Sequence, residues 1–482
     1  MQINLIKQFL TITFICLATK AMALEAGFSK KIITPQSFDT WEDLNKNGKK
    51  DKGEPYNDLN KNGKFDAIYL AGFHQNRPAS GVNDDIYAIA TVLKEGSKKI
   101  AFVTLDTIGF MIDEVEDVRS MIKDRLEIEH VVIHSLHNHE TPDTQGLWGE
   151  GLTKSGISQP HLKFIKKQIT EAVIEANSRL QEANLHWDSI NGHDDKFGVV
   201  DTRVPNVIER GVRSLIFTSK NNKTVLGSWV HFSNHVETVW SQNTLITADW
   251  PGFARTYMET SLGGVSSVFI GNIGGLATTL PDTPVYDVKT EKFITGATFE
   301  KTIAQGQTLA SVVISSWNDG NFKKSDSNDI FIKKHQFDLR VDNKLFLLAN
   351  KLGVIRRNMK GFGVKTTKSE VNHIGIGPIE ILTIPGELYP EIALGGIENL
   401  PGSDFDIEPE EVPPLYELMN GKLNLIFNLA NDSVGYIIPF TEWDEKKPYL
   451  NNDSDSTYGE QNSVGKYSGK QIYNQSKSLL TN

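Results

Sequence analysis

Cysteine is nearly missing from this chain: 482 residues contain one, Cys16. Disulfides therefore cannot staple the fold in any compartment. Basic residues are the minority, 50 Lys and Arg against 60 Asp and Glu, for a formal charge of −10. A surface of that sign repels phosphate and argues against nucleic acid as a partner. No stretch beyond the N-terminus approaches the roughly 20 apolar residues of a membrane span. No low-complexity tract interrupts the sequence.

What is present at the N-terminus explains the single cysteine. A weakly basic start at Lys7 precedes the apolar run Phe9–Ala18, and small residues stand at Ala21 and Ala23. That pattern predicts a secretion signal, 1–23, with cleavage expected after Ala23, against the plainer reading of an N-terminal membrane anchor or a buried helix. Cys16 lies inside it. Losing Lys7 and Lys20 leaves 48 basic residues against 60 acidic ones, a charge of −12. The expected product is secreted or periplasmic and large enough to bury a substantial core.

Along 24–450, apolar runs alternate with amphipathic stretches, which predicts an α/β fold with a mixed sheet core and surrounding helices. Strands are expected at Lys99–Asp106, His130–His137, Thr224–Phe232 and Ile379–Glu387. Helices are expected at Asp113–Glu127, His161–Leu180, Thr298–Trp317 and Leu415–Leu429. The polar stretch 451–482 reads as loop or frayed tail.

Near the start, 41–69 forms an insert with two calcium-type loops. In "DLNKNGKKDKGE", Asp43, Asn45, Asn47, Asp51 and Glu54 occupy loop positions 1, 3, 5, 9 and 12, with Gly48 at the sharp turn and the Lys49 carbonyl at position 7. Calcium favours such an oxygen cage. Asp58, Asn60, Asn62, Gly63 and Asp66 repeat it, but Tyr69 replaces the twelfth carboxylate. The second loop should be weaker, or complete its shell from the first loop. A structural Ca2+ role is expected, against the plainer reading of a solvated Lys/Asn/Gly turn.

The densest chemistry lies in "VVIHSLHNHETPD", which places three of the twelve histidines, His134, His137 and His139, within six residues. His137 and His139 share one side of extended backbone just past a strand. Two imidazoles so placed suit zinc. Further candidates stand at other strand ends: His231 with His235 and Glu237 close behind, Glu387 on a Pro-Gly turn, and Tyr436 in "GYI". Asp106 and Asp249 could orient a ligand histidine or simply cap turns. Arg77 could meet a substrate anion or form a structural ion pair, and Trp148 could meet an acyl chain or plug its loop.

These segments, in this order, resemble the neutral or alkaline non-lysosomal ceramidase family. "EAGFSKKIITP", "LHNHETP", "WVHFSNH", "GNIGG", "IPGE" and "NDSVGYI" each resemble one of its motifs, over roughly Glu25 to Tyr449. The resemblance implies a ceramidase-like zinc hydrolase domain over 24–450. It implies Zn2+ held by His137, His231, Glu387 and Tyr436, with His139 assisting proton transfer and Tyr449 supplying an oxyanion donor. Where the family has an aspartate and then a serine held to matter in catalysis, this chain has Gly275 and Ala277, so Thr278 is the nearest hydroxyl. The implied substrate is an N-acylsphingosine or related N-acyl lipid, with room for transient contact with a membrane surface. Two alternatives stand beside it: a zinc esterase or amidase on a non-ceramide substrate, and a calcium-stabilised surface protein without catalysis.

Overall fold

The computed structural model describes residues 23–450 and 457–481. Residues 1–22, nearly all of the expected signal, lie outside the described residues, as do 451–456 and Asn482.

The main sheet contains β1 (Leu24–Ile32), β2 (Tyr87–Glu95), β3 (Lys98–Leu105), β4 (His130–Ser135), β5 (Gln181–Ile190), β6 (Val212–Ser219), β7 (Val225–Phe232) and β8 (Val265–Ile270). They run in the order β8-β7-β6-β5-β1-β2-β3-β4. Most neighbours are antiparallel, but β3–β4 and β7–β8 are parallel. A second sheet holds β9 (Ile330–Val341), β10 (Lys365–Ile376), β11 (Ile379–Thr383) and β13 (Leu423–Phe427), with β11–β13 parallel. A short parallel pair, β12 (Glu387–Leu388) and β14 (Tyr436–Ile437), extends beyond it and sets Glu387 opposite Tyr436.

The layers follow from residue alternation. Along β3, Ala101, Val103 and Leu105 face α1 (Ile112–Lys123) and α2 (Gln159–Ser178). Ile100 and Phe102 face the other way, into the core between the two sheets. Strands buried on both sides read as continuous apolar runs, which is why β3, β4 and β7 were legible. On the far half of the main sheet, α3 (Asp249–Leu262) and α4 (Phe299–Asn318) cover β6–β8. Thr298 caps α4 by accepting from the Lys301 amide at 3.2 Å. The inter-sheet core is aromatic: Phe269 stacks on Phe427 with centroids 4.2 Å apart, and Trp229 packs on Phe269 at 4.8 Å.

Two expected elements differ. Leu415–Leu429 is not a helix; a 3-10 turn, Leu415–Leu418, is followed by strand β13. Gly421 breaks the stretch. Leu423, Leu425 and Phe427 then alternate into the inter-sheet core, so the open slot beside β11 overrides helical propensity. The C-terminal stretch is not frayed where it is described. Helix α6 (Ser468–Thr481) buries Ile472, Tyr473 and Leu480 in the core on the outer side of the second sheet. Only a thin apolar stripe among polar residues announces it.

His134 sits inside the inter-sheet core, with its ring 5.3 Å from Phe269 and its Nε2 accepting from the Ile270 amide at 2.9 Å. Burial above all drives its pKa down to about 3. The unfolded chain therefore binds a proton that the folded chain refuses. The stability from keeping His134 neutral is full above the ordinary histidine value and drains away as pH falls towards 3. Urea midpoints measured between pH 7 and pH 4 should show about 1.4 kcal/mol lost per pH unit from this group. A His134→Leu variant should show a shallower slope than wild type, whatever its absolute stability.

Candidate functional site

The site lies where the parallel strand pairs end. His137 stands two residues past β4 and His235 three past β7; Ile108 follows β3 and Ala277 lies beyond β8. Each parallel pair delivers two of the four to one strand end, Ile108 with His137 and His235 with Ala277, and the two loop ends meet where Asn138 bridges Val236. Glu387 and Tyr436 arrive from beyond the second sheet.

Each imidazole is turned by a fixed backbone acceptor. His137 Nδ1 donates to the Ile108 carbonyl at 2.9 Å, and His235 Nδ1 donates to the Ala277 carbonyl at 2.9 Å. A carbonyl only accepts, so both rings carry their proton on Nδ1 and present a bare Nε2 inward. There Glu387 Oε2 lies 3.3 Å from His137 Nε2 and 3.4 Å from His235 Nε2. His139 completes the group, its ring centroid 4.7 Å from that of His137. One ligand atom from each of His137, His139 and His235 falls within a 4.8 Å cluster, and all three residues are buried.

His139 is oriented from behind. Its Nδ1 faces Glu237 Oε2 at 3.0 Å, and Glu237 Oε1 accepts from the Thr278 hydroxyl at 2.5 Å. Burial opposes charge on Glu237, but His139, His235 and Thr278 outweigh it and hold its carboxyl down at about 2. Gly72 packs against the same ring: with φ at +99°, a Cβ there would lie 2.3 Å from His139 Cγ. His137 itself has φ of +57°, strain that persists only where surrounding contacts over-determine the backbone.

The residues fit a metal. Nε2 of His139 and His235 and Oε2 of Glu387 are buried without hydrogen-bond partners, an arrangement costly for a protein to leave unsatisfied. Two imidazole nitrogens, a carboxylate oxygen and the nearby Tyr436 phenol make a zinc-type donor set. Burial and then the Glu387 charge push the Tyr436 hydroxyl well above the usual tyrosine range. The cluster opens into a narrow cavity of about 80 Å³, walled by Ile108, Met111, Trp148, Phe346, Ile355 and Met359.

The structure brings His137, His139, Glu387 and Tyr436 together as the sequence suggested, but it brings His235 rather than His231. His231 lies within β7, on the face shared with Trp229. Its Nε2 is bound to the Ile426 carbonyl at 2.9 Å, and its ring stacks on Phe427. Three residues and a strand end separate the two histidines, and His137 and His139 likewise lie past a strand end. That shared position was the signal for His235.

Tyr449 does not line the cavity; it is half-buried beneath Lys447, whose Nζ is 5.5 Å from its ring. Tyr458, missed in the sequence, lines the cavity beside Tyr436 with ring centroids 6.0 Å apart. The residue is 45% exposed, and loss of solvent around the hydroxyl, with the Glu387 and Glu237 charges, pushes that hydroxyl up to about 12. Thr278 is in the site but spends its hydroxyl on Glu237. Arg77 is structural: buried, it faces Glu140 at 3.2 Å and donates to the His139 and Ala71 carbonyls. Asp106 is held by Arg255. Asp249 caps backbone amides near Trp250, whose Nε1 donates to the His235 carbonyl at 3.0 Å.

The calcium-type loops repeat each other in three dimensions. Asp43 accepts from the Gly48 amide at 2.8 Å, and Asp58 from the Gly63 amide at 2.7 Å. Asn45 and Asn47 donate to Asp51, as Asn60 and Asn62 donate to Asp66. Glu54 accepts from the Leu44 and Asp51 amides at 2.9 and 2.7 Å. In the second loop Asp39 takes the equivalent amides, Leu59 at 2.9 Å and Asp66 at 2.8 Å. The missing twelfth carboxylate thus comes from upstream, not from the first loop.

The family described as "Neutral/alkaline non-lysosomal ceramidase, N-terminal" matches residues 61–302. Among solved structures, the neutral ceramidase from Pseudomonas aeruginosa is similar at a TM-score of 0.67 and 14% identity, over 95% of this chain and 74% of that one. A ceramidase complexed with C2 is similar at 0.67 and 13%, over 95% and 75%. At such identities the likeness shows the fold alone. No curated protein sequence matches the chain.

Proposed function

The chain belongs to the neutral/alkaline non-lysosomal ceramidase family, and from that premise we propose that it is a secreted, zinc-dependent hydrolase cleaving the amide of an N-acyl lipid such as an N-acylsphingosine. One observation carries the reading: two bare imidazole Nε2 atoms and an unpartnered carboxylate oxygen converge, buried, beside a cavity with apolar walls.

His137 and His235 through Nε2, the Glu387 carboxylate and the Tyr436 phenol would hold the zinc. When bound, the ion lowers the pKa of a water molecule to near 7 and polarises the scissile carbonyl. The remaining steps belong to the protein. Glu237 keeps His139 turned so that Nε2 faces the cavity, where it takes a proton from the attacking water and returns it to the leaving amine. The Tyr458 hydroxyl, which keeps its proton at neutral pH, donates to the oxygen that gains charge as the carbonyl becomes tetrahedral. This is the role first expected of Tyr449. The apolar walls at Met111, Phe346 and Ile355 take the acyl chain and exclude water.

We also propose that the paired loops hold structural calcium, supported by Asp39 repeating the part of Glu54. Lys50 and Asn76 tie the first loop to the rest of the chain, and the Asn76 amide donates to the Gly149 carbonyl at 2.9 Å. A filled loop would thereby brace the segment that carries Trp148.

Elemental analysis of protein purified without chelator should find zinc in the wild type. His235→Ala should lose it, with hydrolysis of a short-chain N-acylsphingosine falling roughly a thousandfold or more, the several kcal/mol a metal supplies to the transition state. His231→Ala should retain zinc. Zinc retained in His235→Ala but lost in His231→Ala refutes this ligand set, and an ester cleaved with ceramide untouched refutes the substrate. For calcium, chelation should lower the melting temperature of wild type by several degrees, and Asp39→Asn combined with Glu54→Gln should abolish that response. A wild-type melting curve indifferent to chelator and to added Ca2+ removes the calcium reading.

A further inference from the structure

We propose that the rim of the cavity built by residues 344–364, with Leu152 on the adjoining loop, is a docking surface for an anionic lipid bilayer. The inference deepens the lipid-amide reading by saying where that substrate is met. The binding itself does not depend on catalysis.

The rim is apolar where solvent should make it polar. Helix α5 (Lys344–Lys351) buries none of its residues. Leu345, Leu348 and the following Leu352 recur at i, i+3 and i+7 and are each more than half exposed. A stripe of that spacing ordinarily faces a core. Phe362, at the tip of the hairpin between the short strand Met359–Lys360 and β10, is wholly exposed, and Val364 is 52% exposed beside it. Gly361 and Gly363 flank Phe362 with φ of +92° and +83°, which turns the tip outward. Four residues after the cavity-lining Trp148, Leu152 is 79% exposed.

These parts belong to one opening. Phe346, Ile355 and Met359, from the same segment, line the cavity together with Trp148. The Trp148 loop packs on the segment so closely that a Cβ at Gly146 would lie 2.0 Å from the Val354 carbonyl. The exposed apolar side chains therefore belong to the same segments that wall the cavity.

Charge selects the occupant. The chain carries −10 overall, yet 344–368 holds seven Lys and Arg and no Asp or Glu. Arg357 is spent on Asp432, Lys368 on Glu116, and Lys360 lies 3.7 Å from Asp338. Lys344, Lys351 and Arg356 remain exposed among the leucines, with no ion pair among the described residues. Apolar side chains interleaved with cations are the pattern of interfacial segments, which sink the former below the headgroups and set the latter against anionic lipid. An acidic protein partner would match the charge but leave Phe362 and Leu152 without the fluid apolar phase that takes isolated protruding side chains. A bilayer beneath the rim also lets a lipid pass into the cavity without crossing water.

Co-sedimentation with large vesicles tests this, using phosphatidylcholine alone and phosphatidylcholine mixed with phosphatidylglycerol. The wild type should partition at least about tenfold more strongly into the mixed vesicles and be released by high salt. Lys351→Glu with Arg356→Glu should weaken partition by roughly fivefold or more per charge. Leu348→Asp with Phe362→Asp should weaken it similarly, and both variants should melt as wild type does. Equal binding to both vesicle types overturns the proposal, as does wild-type partition in both variants. So does self-association through these residues in analytical ultracentrifugation without vesicle binding, which would make a second copy the occupant. No turnover is read, so an inactive protein that binds vesicles would refute the hydrolase reading and leave this surface standing.

Discussion

One carboxylate oxygen, Glu387 Oε2, stands between two imidazole nitrogens, and the site depends on that meeting. It happens because His137 and His235 have their other nitrogens tied to the carbonyls of Ile108 and Ala277. Those carbonyls and both histidines follow strands of the two parallel pairs in the main sheet. A parallel pair sends both of its strand ends to the same edge; an antiparallel pair would send one to each. The chemistry thus depends on where the two parallel pairs end and on the bridge between Asn138 and Val236 that joins those ends, and the second sheet contributes by bringing Glu387 and Tyr436 into register on one short ladder.

Holding these groups in a dry interior requires a second layer of buried charge. Arg77 is locked between Glu140 and the backbone of His139 and Ala71. Glu209, held down at about 2 chiefly by Arg213 against the cost of burial, accepts from Ser233 and Asn272. Asn428 bridges Asn272 to the Leu388 amide, next to Glu387. Buried pairs of this kind contribute little net stability, yet removal of one partner leaves a charge that nothing solvates. Their value here is positional: each fixes a loop that has no regular structure of its own. The calcium-type insert acts further out, where Asn76 joins the first loop to Gly149 and so to the loop of Trp148.

Legibility in the sequence followed the kind of force at work. Strands β3, β4 and β7 were readable because burial on both faces writes an unbroken apolar run, and α2 and α4 because a long amphipathic period is hard to imitate. The β13 region was misread because its apolar residues suit a helix or a strand, and only the vacancy beside β11 chooses between them. Helix α6 was missed because few apolar residues suffice to cover the outer face of the second sheet. In the site, His137, His139, Glu387 and Tyr436 were legible from motif context. His231 was what the family resemblance implied; His235 belongs to the same motif, and which of the two turns toward Glu387 depends on where β7 ends.

By itself the sequence determined composition-level facts and local ones: a fold without disulfides, an acidic surface, alternating strands and helices, a pair of oxygen-rich loops and histidines at a strand end. These are set by residue type and near-neighbour spacing, and no distant contact can alter them. The tertiary structure alone decided which histidine faces Glu387, that Asp39 completes the second loop, and that Tyr458 replaces Tyr449 at the cavity wall. Each of those is a contact between residues far apart in the chain or on opposite sides of a strand end, and the pairing energy that selects it exists only once the sheets have packed.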